Sequence, residues 1–218
     1  MKNRNFSLSD RQTLEALMLH RRDIRGNNFR HDPVSDECVS KLLQCASLAP
    51  SVGFSQPWEF VVIRDAQIKA KIAANFESEN NKAAQTFKDE KQRLYQTLKL
   101  EGIREAPVNI AVFYTPPTEP VLGQNSMIEV GEYSVVCAIQ NMWLMARAMN
   151  LGLGWVSILD PESVKETLNA PQENKLVAYL CVGYVKEFFS MPELETLNWK
   201  RRKDLSGAVF SDSYPCSS

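Results

Sequence analysis

Apolar residues recur along this chain at two spacings, and the switches between them mark out its elements. Near the start, Leu14, Leu17 and Met18 fall on one side of a helical repeat, and Ser9 with Gln12 has the spacing of a capping box. This predicts a first helix over Ser9 to Arg22. Ser35 stands as an N-cap before Val39, Leu42, Leu43 and Ala46, which recur at i, i+3, i+4 and i+7 until Ala49-Pro50 stops the run. The segment Pro50 to Pro57 is bracketed by prolines and predicts an ordered loop covering something, and the apolar run Trp58 to Ile63 predicts a strand. From Ala66 to about Arg104 charged residues recur without a proline, which predicts one long helix or two broken near Ser78-Asn81. Its weak apolar stripe suits a mobile or partner-covered element.

Val108 to Tyr114 has the continuous apolar character of a buried strand, and Thr115 to Pro120 is a loop by composition. Glu132 to Asn150 is apolar nearly all the way round, as expected of a central helix or one in a dimer interface. Leu151-Gly152 is then expected to end it, with glycine as the left-handed stop, before a strand over Leu153 to Leu159. Asp160-Pro161-Glu162 reads as a cap, a first-turn proline and a first-turn acid, opening a short helix with Val164 and Leu168 on one face. Lys175 to Val185 is the last long strand, followed by a tail rich in Arg, Lys and Ser that includes Trp199 to Lys203. No repeat intervenes, so the order predicts one domain over residues 1–218 with a C-terminal extension from about 190, of α/β or α+β class.

Composition narrows the chemistry. The 218 residues carry 25 Lys+Arg against 26 Asp+Glu, a formal net charge of −1, which argues against a nucleic-acid binder held by phosphate contacts. A hydrophobic share of 44% and a mean hydropathy of −0.28 fit an ordinary globular protein. There are only 2 His, His20 and His31, so a catalytic triad or a zinc site has little to work with, and no metal is expected. The five cysteines (Cys38, Cys45, Cys137, Cys181, Cys216) are odd in number and form no C-x-x-C pair, which points to a reducing cytoplasm. The N-terminus has no apolar signal core and no stretch is long enough to span a membrane. An enzyme of this composition draws its chemistry from a bound cofactor.

Several motifs are candidates. Gly152-Leu153-Gly154-Trp155-Val156-Ser157 is one residue short of the dinucleotide fingerprint and precedes a strand instead of following one. Gly53-Phe54-Ser55-Gln56-Pro57 nearly matches a hydrolase nucleophile elbow, but no histidine follows it. Arg21-Arg22-Asp23-Ile24-Arg25 packs three forked cations into five residues, suited to a phosphate or simply solvated at a helix end. Asp23 is either their ion-pair partner or a carboxylate able to orient a ligand or exchange protons with it. Ser157, on a strand among apolar residues, either bonds local backbone or faces a cofactor ring, and Gln140-Asn141 has the same ambiguity.

Together, the arginine run, Ala49 to Trp58, Leu98-Lys99-Leu100-Glu101-Gly102-Ile103-Arg104 and Gly152 to Ile158 resemble the 5,6-dimethylbenzimidazole synthase branch of the flavin-dependent nitroreductases. The match runs in unbroken order from about Arg21 to Trp199. The resemblance implies an α+β fold with a central mixed or antiparallel sheet flanked by helices, in an intertwined homodimer binding flavin mononucleotide (FMN) at its interface. It implies an oxidoreductase in which reduced FMN is also the substrate. With O2 it is split into 5,6-dimethylbenzimidazole, the lower ligand of cobalamin, and D-erythrose 4-phosphate, and a separate flavin reductase could supply the electrons. By the same resemblance Arg21, Arg22 and Arg25 hold phosphate and ring polar atoms, with Asp23 and Ile24 along the flavin. Ser51 reaches it from the loop, Leu100 from the long helical segment, and Ser157 sits near the reacting ring. Asp23 and Ser157 are the catalytic candidates, Asn75 to Tyr95 is the candidate lid, and Arg201-Arg202 either supplements the phosphate site or is a solvated tail. The rival activities are an NAD(P)H-dependent nitro- or quinone reductase and a cob(II)yrinic acid a,c-diamide reductase. The non-enzyme rival is a flavin-storage or flavin-sensing protein.

Overall fold

The structure is a computed structural model that describes residues 3–214; Met1-Lys2 and Cys216 lie outside them. Helix α1 (Leu8–His20) starts two residues earlier than Ser9-Gln12 suggests. Ser7 accepts from the Asp10 amide while the Asp10 carboxylate accepts from the Ser7 amide, so Asp10 completes a reciprocal capping box. The helix also stops at His20, and Arg21 is an extended C-cap, so the arginine run leaves the helix instead of forming its last turn. Helix α2 (Asp36–Ala46) is capped by Ser35 as expected and buries Val39, Leu42 and Ala46.

Four antiparallel strands form one sheet in the order β1-β2-β4-β3, with β1 at Trp58–Ile63, β2 at Val108–Tyr114, β3 at Leu151–Val156 and β4 at Lys175–Tyr184. Of the mixed or antiparallel alternatives, the sheet is antiparallel. Side chains alternate across it. Val108, Ile110, Val112, Leu180 and Val182 pack on one face against α2 and α5 (Val130–Ala148). Ala111, Phe113, Tyr179 and Cys181 pack on the other against α3 (Ala66–Ala84) and α6 (Pro161–Leu168). The result is three layers with helices on both faces of an antiparallel sheet.

The long charged segment is two helices, α3 and α4 (Asp89–Thr97). They break at Gln85 to Lys88 instead of Ser78-Asn81, and the helical stretch ends before Leu98, so Leu100 lies on an irregular connection to β2. Helix α5 ends through Asn150 in the left-handed conformation (φ 55°), not through Gly152, which lies inside β3. Strand β3 is correspondingly Leu151–Val156, leaving Ser157 one residue beyond it and exposed. Asp160 caps α6 through the Glu162 amide with Pro161 in the first turn, as its sequence indicates. Asn141 donates to the Cys45 carbonyl at 3.3 Å, the structural alternative for that residue.

The chain divides into two compact units at Phe188/Phe189. The second holds a four-residue helix, α7 (Glu193–Thr196), and a 3-10 turn at Leu205–Ala208, with Arg201 and Arg202 exposed. Among the described residues, no helix is long and apolar enough to cross a membrane.

Candidate functional site

The site grows from the edge of the sheet. Strand β3 has no outer neighbour in the sheet order, and the chain leaving α1 covers it: Asp23 bridges to Leu153 in parallel, and the Ile24 amide donates to the Leu153 carbonyl at 3.1 Å. This approach is close enough to require glycine in β3. A Cβ on Gly154 would collide with the Ile24 carbonyl oxygen, and one on Gly152 would collide with Ile24 and Val185. The G-x-G pattern therefore serves packing against residues 23–24.

The five residues of the arginine run point different ways. Ile24 turns into the core and is 2% exposed, so its side chain is not at the surface of the site. Arg25 also turns inward. It pairs with the Asp23 carboxylate and donates from Nη1 to the carbonyls of Leu100 (3.0 Å) and Trp155 (3.2 Å), tying three distant segments together. Arg21 and Arg22 stay at the rim. The Arg21 guanidinium lies over the Trp143 ring, 4.6 Å from its centroid, and makes no side-chain hydrogen bond among the described residues. A ring face takes up none of the in-plane N–H donors, so these remain suited to an anion. Arg22 donates to the carbonyls of Leu19 and Arg21.

Asp23 sits between these cations. Its Oδ1 accepts from the Trp155 amide at 3.0 Å, and 34% of its side-chain surface stays open. Burial pushes its carboxyl above the ordinary aspartate range, against the lowering pull of Arg25, the Trp155 amide and Arg21. Asp23 is thus a carboxyl group shifted upward by burial, fixed by two partners and reachable from outside.

Leu100 borders a cavity of about 340 Å³ between α3, α4 and the connection 98–104, lined also by Phe76, Asn80, Lys99, Glu101 and Arg104. Glu101 fixes this connection: its carbonyl accepts from the Gly26 amide (2.8 Å) and its carboxylate from the Ile103 amide (2.6 Å). Burial raises the Glu101 carboxyl as well. Of the proposed lid, Asn75 is locked to Asp160 by two hydrogen bonds, and the Tyr95 hydroxyl donates to Asn80, joining α4 to α3.

Ser51 stands apart within this one chain. Its hydroxyl accepts from the Gln56 amide, closing a loop in which Gly53, Phe54 and Gln56 all have positive φ. The loop is anchored where the Val52 amide donates to Ser134 on α5, whereas the arginine run meets the same helix at Trp143, about 14 Å further along its axis. Arg21, Arg22, Asp23, Arg25 and Leu100 are therefore gathered near Trp155, with Ser157 two residues on, and Ser51 is not among them. Trp143, Trp155 and Glu101 hold the gathered set together. Glu101 and Trp155 lie inside the sequence motifs, whereas Trp143 lies in the all-apolar run of α5, and both tryptophans pass for core residues in the sequence.

The arrangement offers cationic donors, a carboxyl shifted upward by burial, an exposed hydroxyl and fixed backbone beside a partly open cavity. That donor set fits an anionic, ring-bearing group such as FMN. Arg21 and Arg22 would hold its phosphate, while Asp23, Leu100 and Ser157 would border the remainder.

Comparisons with known proteins bear on this geometry. A 5,6-dimethylbenzimidazole synthase of Rhodospirillum rubrum is 48% identical over 200 residues, covering 91% of this chain and 94% of that protein. One of Rhodobacter capsulatus is 37% identical over 198 residues, covering 90% and 95%. The crystal structure of an iodotyrosine deiodinase bound to FMN and 3-iodo-L-tyrosine superposes with a TM-score of 0.73 at 21% identity, covering 92% of this chain and all of that one. A BluB-like flavoprotein from Clostridium difficile gives 0.69 at 20% identity, covering 92% and 99%. Identities that low speak for the fold alone. The model of the family described as Nitroreductase matches residues 18–184, which take in the arginine run, the sheet and the connection through Leu100, and the chain belongs to the nitroreductase family.

Proposed function

We propose that this protein is a 5,6-dimethylbenzimidazole synthase, which uses O2 to fragment reduced FMN into 5,6-dimethylbenzimidazole and D-erythrose 4-phosphate. The observation that carries the reading is the likeness to two such synthases across nine-tenths of the chain, on a site whose donors suit a flavin phosphate. Reduced FMN supplies both the ring that reacts with oxygen and the atoms of both products. The protein's residues bind and orient it. Arg21 and Arg22 take the phosphate, and Arg25 holds Asp23 and the Leu100 carbonyl in register. Asp23, its carboxyl raised by burial, carries or accepts a proton at its oxygens or orients the ribityl chain, and Ser157 offers its hydroxyl to the ring edge. Helices α3 and α4 with the connection 98–104 form the wall of the cavity beside Leu100.

The working form in this reading is a homodimer. Helix α1 buries no residue and leaves Leu14, Met18 and Leu19 exposed, and Tyr133, Val136 and Cys137 of α5 are exposed too. A second copy covering these surfaces would also let the Ser51 loop of one subunit complete the site of the other.

The test is direct. Purified protein mixed with reduced FMN in air should form 5,6-dimethylbenzimidazole detectable by mass, with Asp23→Asn and Ser157→Ala variants slowed. Absence of the product, with steady NADPH consumption on a nitroaromatic, would replace this reading with a nitroreductase. Tight flavin binding with neither activity would favour a storage or sensing protein.

A further inference from the structure

We infer that Trp143 is a positioning residue that aims the Arg21 and Arg22 guanidiniums at the flavin phosphate. The inference rests on the reading that the arginine run grips that phosphate. Nothing about Trp143 in the sequence distinguishes it from the apolar residues around it, but in the structure it makes three contacts with the site. Its indole Nε1–H donates to the Arg22 carbonyl at 3.2 Å. Its ring lies beneath the Arg21 guanidinium, and its centroid is 6.3 Å from that of Trp155, whose amide and carbonyl bond Asp23 and Arg25.

One turn further along α5, Arg147 repeats the arrangement on the preceding carbonyls. Its Nε donates to the His20 carbonyl at 3.1 Å, while its guanidinium packs over the Phe188 ring at 3.9 Å. The His20 carbonyl ends α1 without an intrahelical donor, and the Arg22 carbonyl lies just beyond the extended cap at Arg21, so the two α5 bonds fix how the chain leaves α1. That exit direction sets where the two rim arginines begin.

The stacking does the rest. An exposed arginine is free to adopt many rotamers, and an anion that binds it must first suppress them. Held over the indole, 4.6 Å from its centroid, Arg21 has given up much of that freedom already, while the ring face takes up none of its N–H donors. The effect belongs to the phosphate and not to the flavin ring.

This distinguishes the role from simple packing. Flavin-free wild-type and variant proteins are titrated, without oxygen, with reduced FMN and with reduced riboflavin, which lacks the phosphate, and bound flavin is measured by ultrafiltration. Thermal melts of each protein check folding. Trp143→Leu removes both ring and donor and should lower the ratio of FMN affinity to riboflavin affinity by about tenfold. Trp143→Phe keeps a ring without the N–H and should lower it by about threefold. In an Arg21→Ala background, Trp143→Leu should change the ratio much less than it does in the wild type. A wild-type ratio in Trp143→Leu, or equal losses for FMN and riboflavin, would overturn the inference alone. If Trp143→Leu does not fold, Trp143→Phe decides, and an unchanged ratio there overturns it. A wild type that binds riboflavin as tightly as FMN would overturn the phosphate reading and this inference with it.

Discussion

Asp23 is pulled in opposite directions by its surroundings. The protein packed around it disfavours its charge, while Arg25, the Trp155 amide and Arg21 favour it, and burial wins. A carboxyl raised in the folded state has its full share of stability below the ordinary aspartate range and loses it as pH rises through the raised value. Asp23→Asn cannot ionise and escapes that loss. The unfolding free energy of the variant minus that of the wild type should therefore grow more positive as pH rises above the ordinary aspartate range, measured by urea melts of the flavin-free protein. A difference that stays flat or shrinks over that rise would contradict the assignment. The same substitution should slow benzimidazole formation, so that stability gained as pH rises and activity lost would appear together in one variant. The histidines follow the opposite logic: His31 is exposed, and the contact of His20 described above is through its backbone carbonyl, which any residue would supply.

Strand β3 admits a sharper prediction. Gly154→Ala would drive a methyl group into the Ile24 carbonyl, pushing the Asp23 bridge off the strand. It should cost about 2 kcal/mol or more in denaturant melts and weaken flavin binding as well. An alanine variant with wild-type stability and affinity would show that residues 23–24 do not need this approach. The same strand marks where the sequence stops being legible. Elements with a strong repeat and a cap, such as α2, β1, β2 and the start of α6, follow from their residues because local preference and burial agree there. The break between α3 and α4 falls in Gln85 to Lys88, which holds neither glycine nor proline, and is set by the α3–α4 contacts around Tyr95. Gly152 looked like a helix stop because glycine commonly is one, yet its role is set by Ile24, a residue far away in the chain. The candidate site divides likewise. The motifs locate its residues, but only packing against β3 decides that Arg25 turns inward while Arg21 stays at the rim.

At the scale of the whole molecule, a 13-residue helix that buries none of its side chains is an incomplete arrangement. If a second copy completes it, Leu14→Glu with Met18→Glu should shift the protein to monomer in sedimentation experiments. Flavin affinity should fall in parallel, and the melting temperature of the wild type should rise with protein concentration. A wild type that sediments as a monomer at every concentration would remove the dimer from the reading. Within the single chain, Arg25 has a consequence for when the site can exist. Its bonds reach across 75 residues to Leu100 and 130 to Trp155, and closing loops of that length comes late in folding. A chain still lacking the β3–β4 pairing has no assembled place for the flavin. The ligand therefore acts on the finished fold, holding it by mass action and giving no help to nascent chains, and flavin shortage should shorten the protein's lifetime without slowing its folding.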